Sequence, residues 1–373
     1  MILSLNDKDI KKLQELLDIK EINIAVSNMF IEFCRYYDLV NIKKIEANKT
    51  TYVNEFLNYF DIDFSDEENK KIFENYIKPA LKERKRDVLI NNPYFKNIKF
   101  NPIKDEEYSL EYETYHPYQA FAYDDVKIME DFREIYQIGY FKEKTKYPAI
   151  AKNDIIWMSV TPNEILTMEK PINESKGHVL TFGLGLGYYA YMVSNKKEVE
   201  SVTIIEKDAK IIDLFKKYIL PQFEHKEKIN IICADAFVFL KENTKVYDYV
   251  FVDIWHGAND GLPLYLKFKK YETNQEFTYW LEESILGLLR RLVLTLFEEY
   301  FENYTENDYK NAKNIEDKII NKLYFLLKDQ DFKSIEEIKD LLTNNGLKEL
   351  IKNIWVSSHM FFCLFVDVIQ IIH

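Results

Sequence analysis

The sequence predicts an α/β chain built on a doubly wound parallel sheet, and three observations predict it. Of nine glycines in 373 residues, Gly183, Gly185 and Gly187 crowd into one stretch, VLTFGLGLGY. Four short apolar runs rich in β-branched residues follow in series, Val179–Phe182, Ser201–Ile205, Ile229–Cys233 and Tyr249–Val252, with helix-like segments between them. Three runs lead into an acid: Glu206, Asp235 (after Ala234) and Asp253. Glycine serves where backbone turns sharply or comes close to a ligand. Strands alternating with helices form right-handed crossovers whose carboxyl ends open on one crevice, so glycines and acids share one rim.

Taken in order, residues 1–105 read as an N-terminal helical region. Leu13, Leu16, Leu17, Ile22, Val26, Phe30 and Phe33 recur at helical spacing, and Ser65–Glu68 has the form of a capping box. The basic run Lys82–Arg86 is assigned to a helix C-terminus, where cations offset the dipole. Residues 106–172 form a small β region, broken by Pro117, Pro148 and Pro162, in which Tyr136–Phe141 and Asp154–Val160 are expected to pair as a hairpin. The sheet core spans 173–261, and Trp255 to Gly261 reads as a turn-rich loop at its carboxyl rim.

Residues 262–373 read as mostly helical. Thr273–Glu276 resembles a second capping box ahead of an amphipathic stretch through Trp280, Leu288, Leu292 and Leu296. Ser334–Glu337 opens a further helix, which Asn345-Gly346 is expected to end. Two completions of the sheet remain open: strands within Ile354–Ile372, or a shortened sheet with helices over its edge.

The formal net charge of −12 argues against tight nonspecific nucleic-acid binding, which draws on basic patches. Cys34, Cys233 and Cys363 lack zinc-ligand spacing and lie in apolar runs, so buried thiols and a cytoplasmic location are expected. The opening apolar run is too short for a secretory signal. Ile354–Ile372 contains His359, Asp367 and Gln370 and reads as core, not as a membrane span. HExxH, paired CxxC, GxSxG and a phosphate loop ending in Gly-Lys-Ser/Thr are all missing, and no metal is expected.

From about residue 154 to 257 the chain resembles the class I S-adenosylmethionine-dependent methyltransferases, which are Rossmann-like, and within them the spermidine synthase branch. The resemblance implies that Gly183, Gly185 and Gly187 lie against the methionine part of S-adenosylmethionine. It implies that Glu206 holds the ribose hydroxyls and that Asp235, with Ala236 beside it, meets the adenine. A carboxylate only accepts hydrogen bonds, which suits hydroxyls and an exocyclic amine. The plain alternatives are a surface acid at Glu206 and a helix N-cap at Asp235. Asn163-Glu164 falls loosely where that family has an acid-bearing motif. A nicotinamide fingerprint fits less well, because its third glycine would stand at Tyr188.

Two departures bear on the reaction. Spermidine synthases have an aspartate where this chain has Leu186, and a second aspartate where it has His256. Trp255 and His256 are candidate walls of a substrate pocket, against a core role for Trp255 and a plain loop role for His256. The expectation is methyl transfer from S-adenosylmethionine to an unidentified acceptor, a small molecule being favoured, with Asp253 and His256 orienting it or taking its proton. Aminopropyl transfer and a non-catalytic S-adenosylmethionine-binding scaffold are the alternatives, and the oligomeric state is open.

Overall fold

A computed structural model describes residues 1–36, 52–63, 65–105, 107–272, 275–309 and 314–356. After a short strand, β1 (Ile2–Leu3), comes the helix Asp7–Tyr36. It buries Leu13, Leu16, Leu17, Val26, Phe30 and Phe33, the stripe that its periodicity prescribes. The start of the helix Glu67–Ile72 departs from expectation by one residue. Asp66, not Ser65, accepts the N–H groups of Glu68 and Asn69, because Ser65 bonds back to Asp63.

Among the described residues seven more strands precede the core: β2 (Leu81–Glu83), β3 (Ile103–Asp105), β4 (Tyr108–Tyr115), β5 (Phe121–Ile128), β6 (Glu134–Tyr140), β7 (Thr145–Lys152) and β8 (Ile155–Ser159). They make two sheets, in the orders β2-β6-β5 and β3-β4-β7-β8. The expected hairpin is therefore corrected, since β6 pairs with β5 while β8 pairs with β7. The basic run is corrected too. Its first residues form β2, an edge strand parallel to β6, where Lys82 needs no helix dipole.

The sheet that carries the rim is Rossmann-like and wholly parallel. Its strands are β9 (Gly177–Phe182), β10 (Val199–Glu206), β11 (Ile229–Cys233), β12 (Tyr249–Val252) and β13 (Thr278–Tyr279), in the order β11-β10-β9-β12-β13. Val179, Phe182, Val202, Ile204, Phe251 and Val252 are almost fully buried, as strands covered on both faces require. The order reverses between β9 and β12, so Gly183 and Asp253 leave adjacent strands at the switch point, where ligands of such sheets bind.

The completion of the sheet is now visible among the described residues. The fifth strand is β13, in a stretch that periodicity assigns to a helix, and the helix itself runs only from Glu282 to Phe301. Tyr279 is buried against Trp255 and Tyr265, and that tertiary packing overrides the helical pattern. Of the capping box expected at Thr273–Glu276, Thr273 and Asn274 lie outside the described residues. Ile354–Ile372 does so too except for its first residues, as does Cys363.

Farther on, Ser334 caps the helix Ile335–Leu342 as its sequence foretells. Gly346 does not end it. Thr343 does, and Gly346 sits in the first turn of Asn344–Val356, where a Cβ would come within 2.1 Å of the Asp340 carbonyl. The last strand among the described residues, β14 (Asp331–Phe332), pairs with β1 near the N-terminus. A bidentate contact of Arg291 with the buried Glu134 joins the helix Glu282–Phe301 to β6. No helix among the described residues is long and apolar enough to cross a membrane.

Candidate active site

The three glycines have distinct reasons to be glycine, although all have positive φ. A Cβ on Gly183 would lie 1.9 Å from the Asp253 carbonyl, so this glycine lets β9 and β12 leave the sheet side by side. A Cβ on Gly187 would lie 2.2 Å from the ring of Phe215, so this one seats the helix Tyr188–Ser194 on its neighbour. Gly185 is different. The nearest atom to a Cβ there is Met158 Sδ at 3.8 Å, an ordinary contact distance, so the position has room for a side chain. Of the three, it alone presents bare backbone to the crevice. Leu186, where the resemblance places an acid, is buried, and its carbonyl accepts the Tyr94 hydroxyl at 2.7 Å.

Glu206 ends β10 as a buried acid, 8% exposed. One oxygen accepts the Leu184 N–H of the glycine loop at 3.2 Å and the other the Asp208 N–H at 2.9 Å. Desolvation raises its pKa despite these donors. It therefore organises the loop, and each oxygen keeps capacity for a further donor. Asp235 is an N-cap, with Oδ1 accepting from Phe237 at 2.9 Å and Val238 at 3.0 Å. Ala236 is the first, buried residue of that helix. Cys233, expected to be buried, is exposed, since β11 is an edge strand.

Asp253 follows β12 and is half-buried at the rim. Burial, with Glu206 adding repulsion, pushes its carboxyl up to about 7, and His256 opposes the rise. Glu164 reaches the same place from the helix Pro162–Thr167, whose N-cap is Thr161. Desolvation and repulsion by Asp253 raise the Glu164 pKa well above the carboxylate range. The site thus holds two acids that disfavour each other's charge. Sequence reasoning flagged Glu164 only loosely. Its partner is 89 residues away (253 − 164), and no local pattern records that approach.

His256 is exposed, with Nδ1 at 3.1 Å from Asp260 Oδ2. Asp260 also accepts the N–H groups of His256 and Gly257, both at 2.9 Å. That back-bonding starts the helix Ala258–Phe268, which corrects the expected loop over Asn259–Gly261. Trp255 belongs to the core: it is buried, and its Nε1 donates to the Trp280 carbonyl at 3.2 Å. The aromatic wall is Trp157 instead, whose ring meets His256 edge-on at 4.8 Å. Nothing in the sequence near Trp157 signals this, because the pairing of β8 with β7 brings it there.

Residues 163–266 match the model of the spermine/spermidine synthase domain. The polyamine aminopropyltransferase of Methanocaldococcus jannaschii is 37% identical over 79 residues, covering 20% of this chain and 27% of that protein. That of Leptospira interrogans is 33% identical over 89 residues, covering 22% and 18%. The spermidine synthase structure from Thermotoga maritima aligns at 18% identity and a TM-score of 0.24, covering 33% of this chain and 48% of that one. The matched stretches span about a quarter or less of the length of these two curated relatives. The expectation of methyl transfer is overturned by these matches, since the domain and the relatives are those of aminopropyl transfer.

Proposed function

We propose that the chain transfers an aminopropyl group from decarboxylated S-adenosylmethionine to an amine. The observation that carries this reading is the pair Glu164 and Asp253, two acids held at a desolvated rim, where burial raises both and the charge of Asp253 raises Glu164 further. Such a pair is relieved by cations. The decarboxylated donor brings a sulfonium and an ammonium, and the acceptor brings another ammonium. Intact S-adenosylmethionine would add a carboxylate to a crevice that already holds Glu164, Asp253 and Glu206. Leu186 is no obstacle, for its side chain is buried in the main core cluster and Glu164 supplies an acid from another element.

In this reading the open backbone of Gly185 accommodates the donor, Glu206 receives its ribose hydroxyls and Asp235 its adenine. Asp253, with a pKa of about 7, takes one proton from the bound acceptor ammonium. The freed nitrogen lone pair forms a bond to the propyl carbon attached to sulfur. The carbon–sulfur bond breaks with its electrons going to sulfur, leaving neutral methylthioadenosine and a secondary ammonium. Glu164 stabilises the positive charge throughout.

The test supplies both donors with a panel of primary amines and follows methylthioadenosine and S-adenosylhomocysteine separately. Methylthioadenosine from the decarboxylated donor is the expected product. Glu164→Gln should slow its formation about tenfold to a hundredfold, the loss of a charged contact of about 1.5–3 kcal/mol. S-adenosylhomocysteine as the product, or no methylthioadenosine with any amine, contradicts the reading.

A further inference from the structure

We infer that the acceptor is a primary amine whose far end is apolar or aromatic, not a second ammonium; this rests on the aminopropyl-transfer reading and names the substrate class of the same site. The crevice has two chemically different parts. Its floor holds Glu164 and Asp253. Its mouth is bordered by β8, an edge strand, with Ile155, Ile156 and Trp157 respectively 72%, 43% and 39% exposed. The strand is tied to the site at two points: Met158 Sδ lies over Gly185, and Trp157 lies against His256.

The charges at this mouth are already matched. His256 is held by Asp260, whose oxygens also take two backbone N–H groups. The Lys152 ammonium bonds the Tyr108 hydroxyl, which is bonded to Asp208, and Glu107 adds negative charge nearby. Asp208 also accepts the N–H groups of Lys210 and Ile211. Lys152 lies 5.6 Å from the centroid of the Trp157 ring, so a cation already uses the π-face that would attract another. A second ammonium at the mouth would meet hydrocarbon, one lysine and a histidine that Asp260 favours in its charged form. It would lose water without gaining a carboxylate of its own. A hydrocarbon or aromatic tail would instead cover Trp157, surface whose removal from water is favourable.

The test uses the full chain with decarboxylated S-adenosylmethionine and reads methylthioadenosine release with phenylethylamine, hexylamine and diaminobutane. The expected kcat/KM for phenylethylamine and hexylamine exceeds that for diaminobutane by about tenfold or more, the range that one complementary apolar contact commands. Trp157→Ala should lower the phenylethylamine value by about tenfold and the diaminobutane value far less. His256→Asp should move the preference toward diaminobutane. A wild-type preference for diaminobutane, or equal losses with both amines in Trp157→Ala, overturns the inference while leaving aminopropyl transfer standing. No methylthioadenosine with any amine removes that reading and this inference with it.

Discussion

At the scale of single residues, the acids at the rim are held at a cost to the fold. Asp253 rises from 3.8 to about 7, so between those values the folded chain binds a proton that the unfolded chain releases. Stability contributed by this group is therefore full below about pH 4 and declines as pH rises toward 7. Asp253→Asn, which removes the charge and keeps the shape, should raise the melting temperature at pH 8 by roughly 1–2 °C, the effect of about 1 kcal/mol in a chain of 373 residues. At pH 5 the gain should be smaller. Thermal melts at both values check this, and a lower melting temperature at pH 8 would mean that the charged carboxylate stabilises the fold. The acids after the strands were legible in the sequence because strand ends put them in register. Glu164 was not, since the repulsion it meets from Asp253 comes from packing between distant elements.

At the scale of elements, the glycine loop divides its work between packing and exposure. Gly187→Ala would force a methyl into Phe215 at a left-handed position, and overpacking of this kind costs about 1–3 kcal/mol. Gly185 has room for a side chain, although its positive φ makes any substitution strained. Gly185→Arg should therefore leave a folded protein, by circular dichroism, that no longer binds methylthioadenosine in calorimetry. Gly187→Ala should lower stability more than affinity. Unchanged binding by Gly185→Arg would move the ligand away from this loop. The loop and the β9 to β12 strands were readable because their signals are local. The partners of β6 and β8 were not, since pairing between strands is set by residues far apart in the chain, and neither was the end of β8 that brings Trp157 to the mouth.

At the scale of the whole molecule, the Rossmann-like sheet carries the site while β8 and the helix Pro162–Thr167 complete it from outside. The α/β class followed from strands and helices in alternation, and the long helices from their apolar stripes. The short fifth strand was hidden because two residues, Thr278 and Tyr279, leave no periodic pattern. The reaction type was hidden for a related reason. Leu186 lacks a charge for the donor's ammonium, but it is buried in the core and Glu164 brings an acid from another element, so its identity does not decide the donor. What decides between donors is the summed charge of Glu164, Asp253 and Glu206 around one small volume. The most direct measurement is calorimetric affinity for the decarboxylated and intact forms of S-adenosylmethionine at pH 8 in the same buffer. The decarboxylated form should bind about tenfold tighter or more, one charged contact's difference. Intact S-adenosylmethionine binding as tightly or more tightly would contradict the assignment of these acids to a cationic aminopropyl donor.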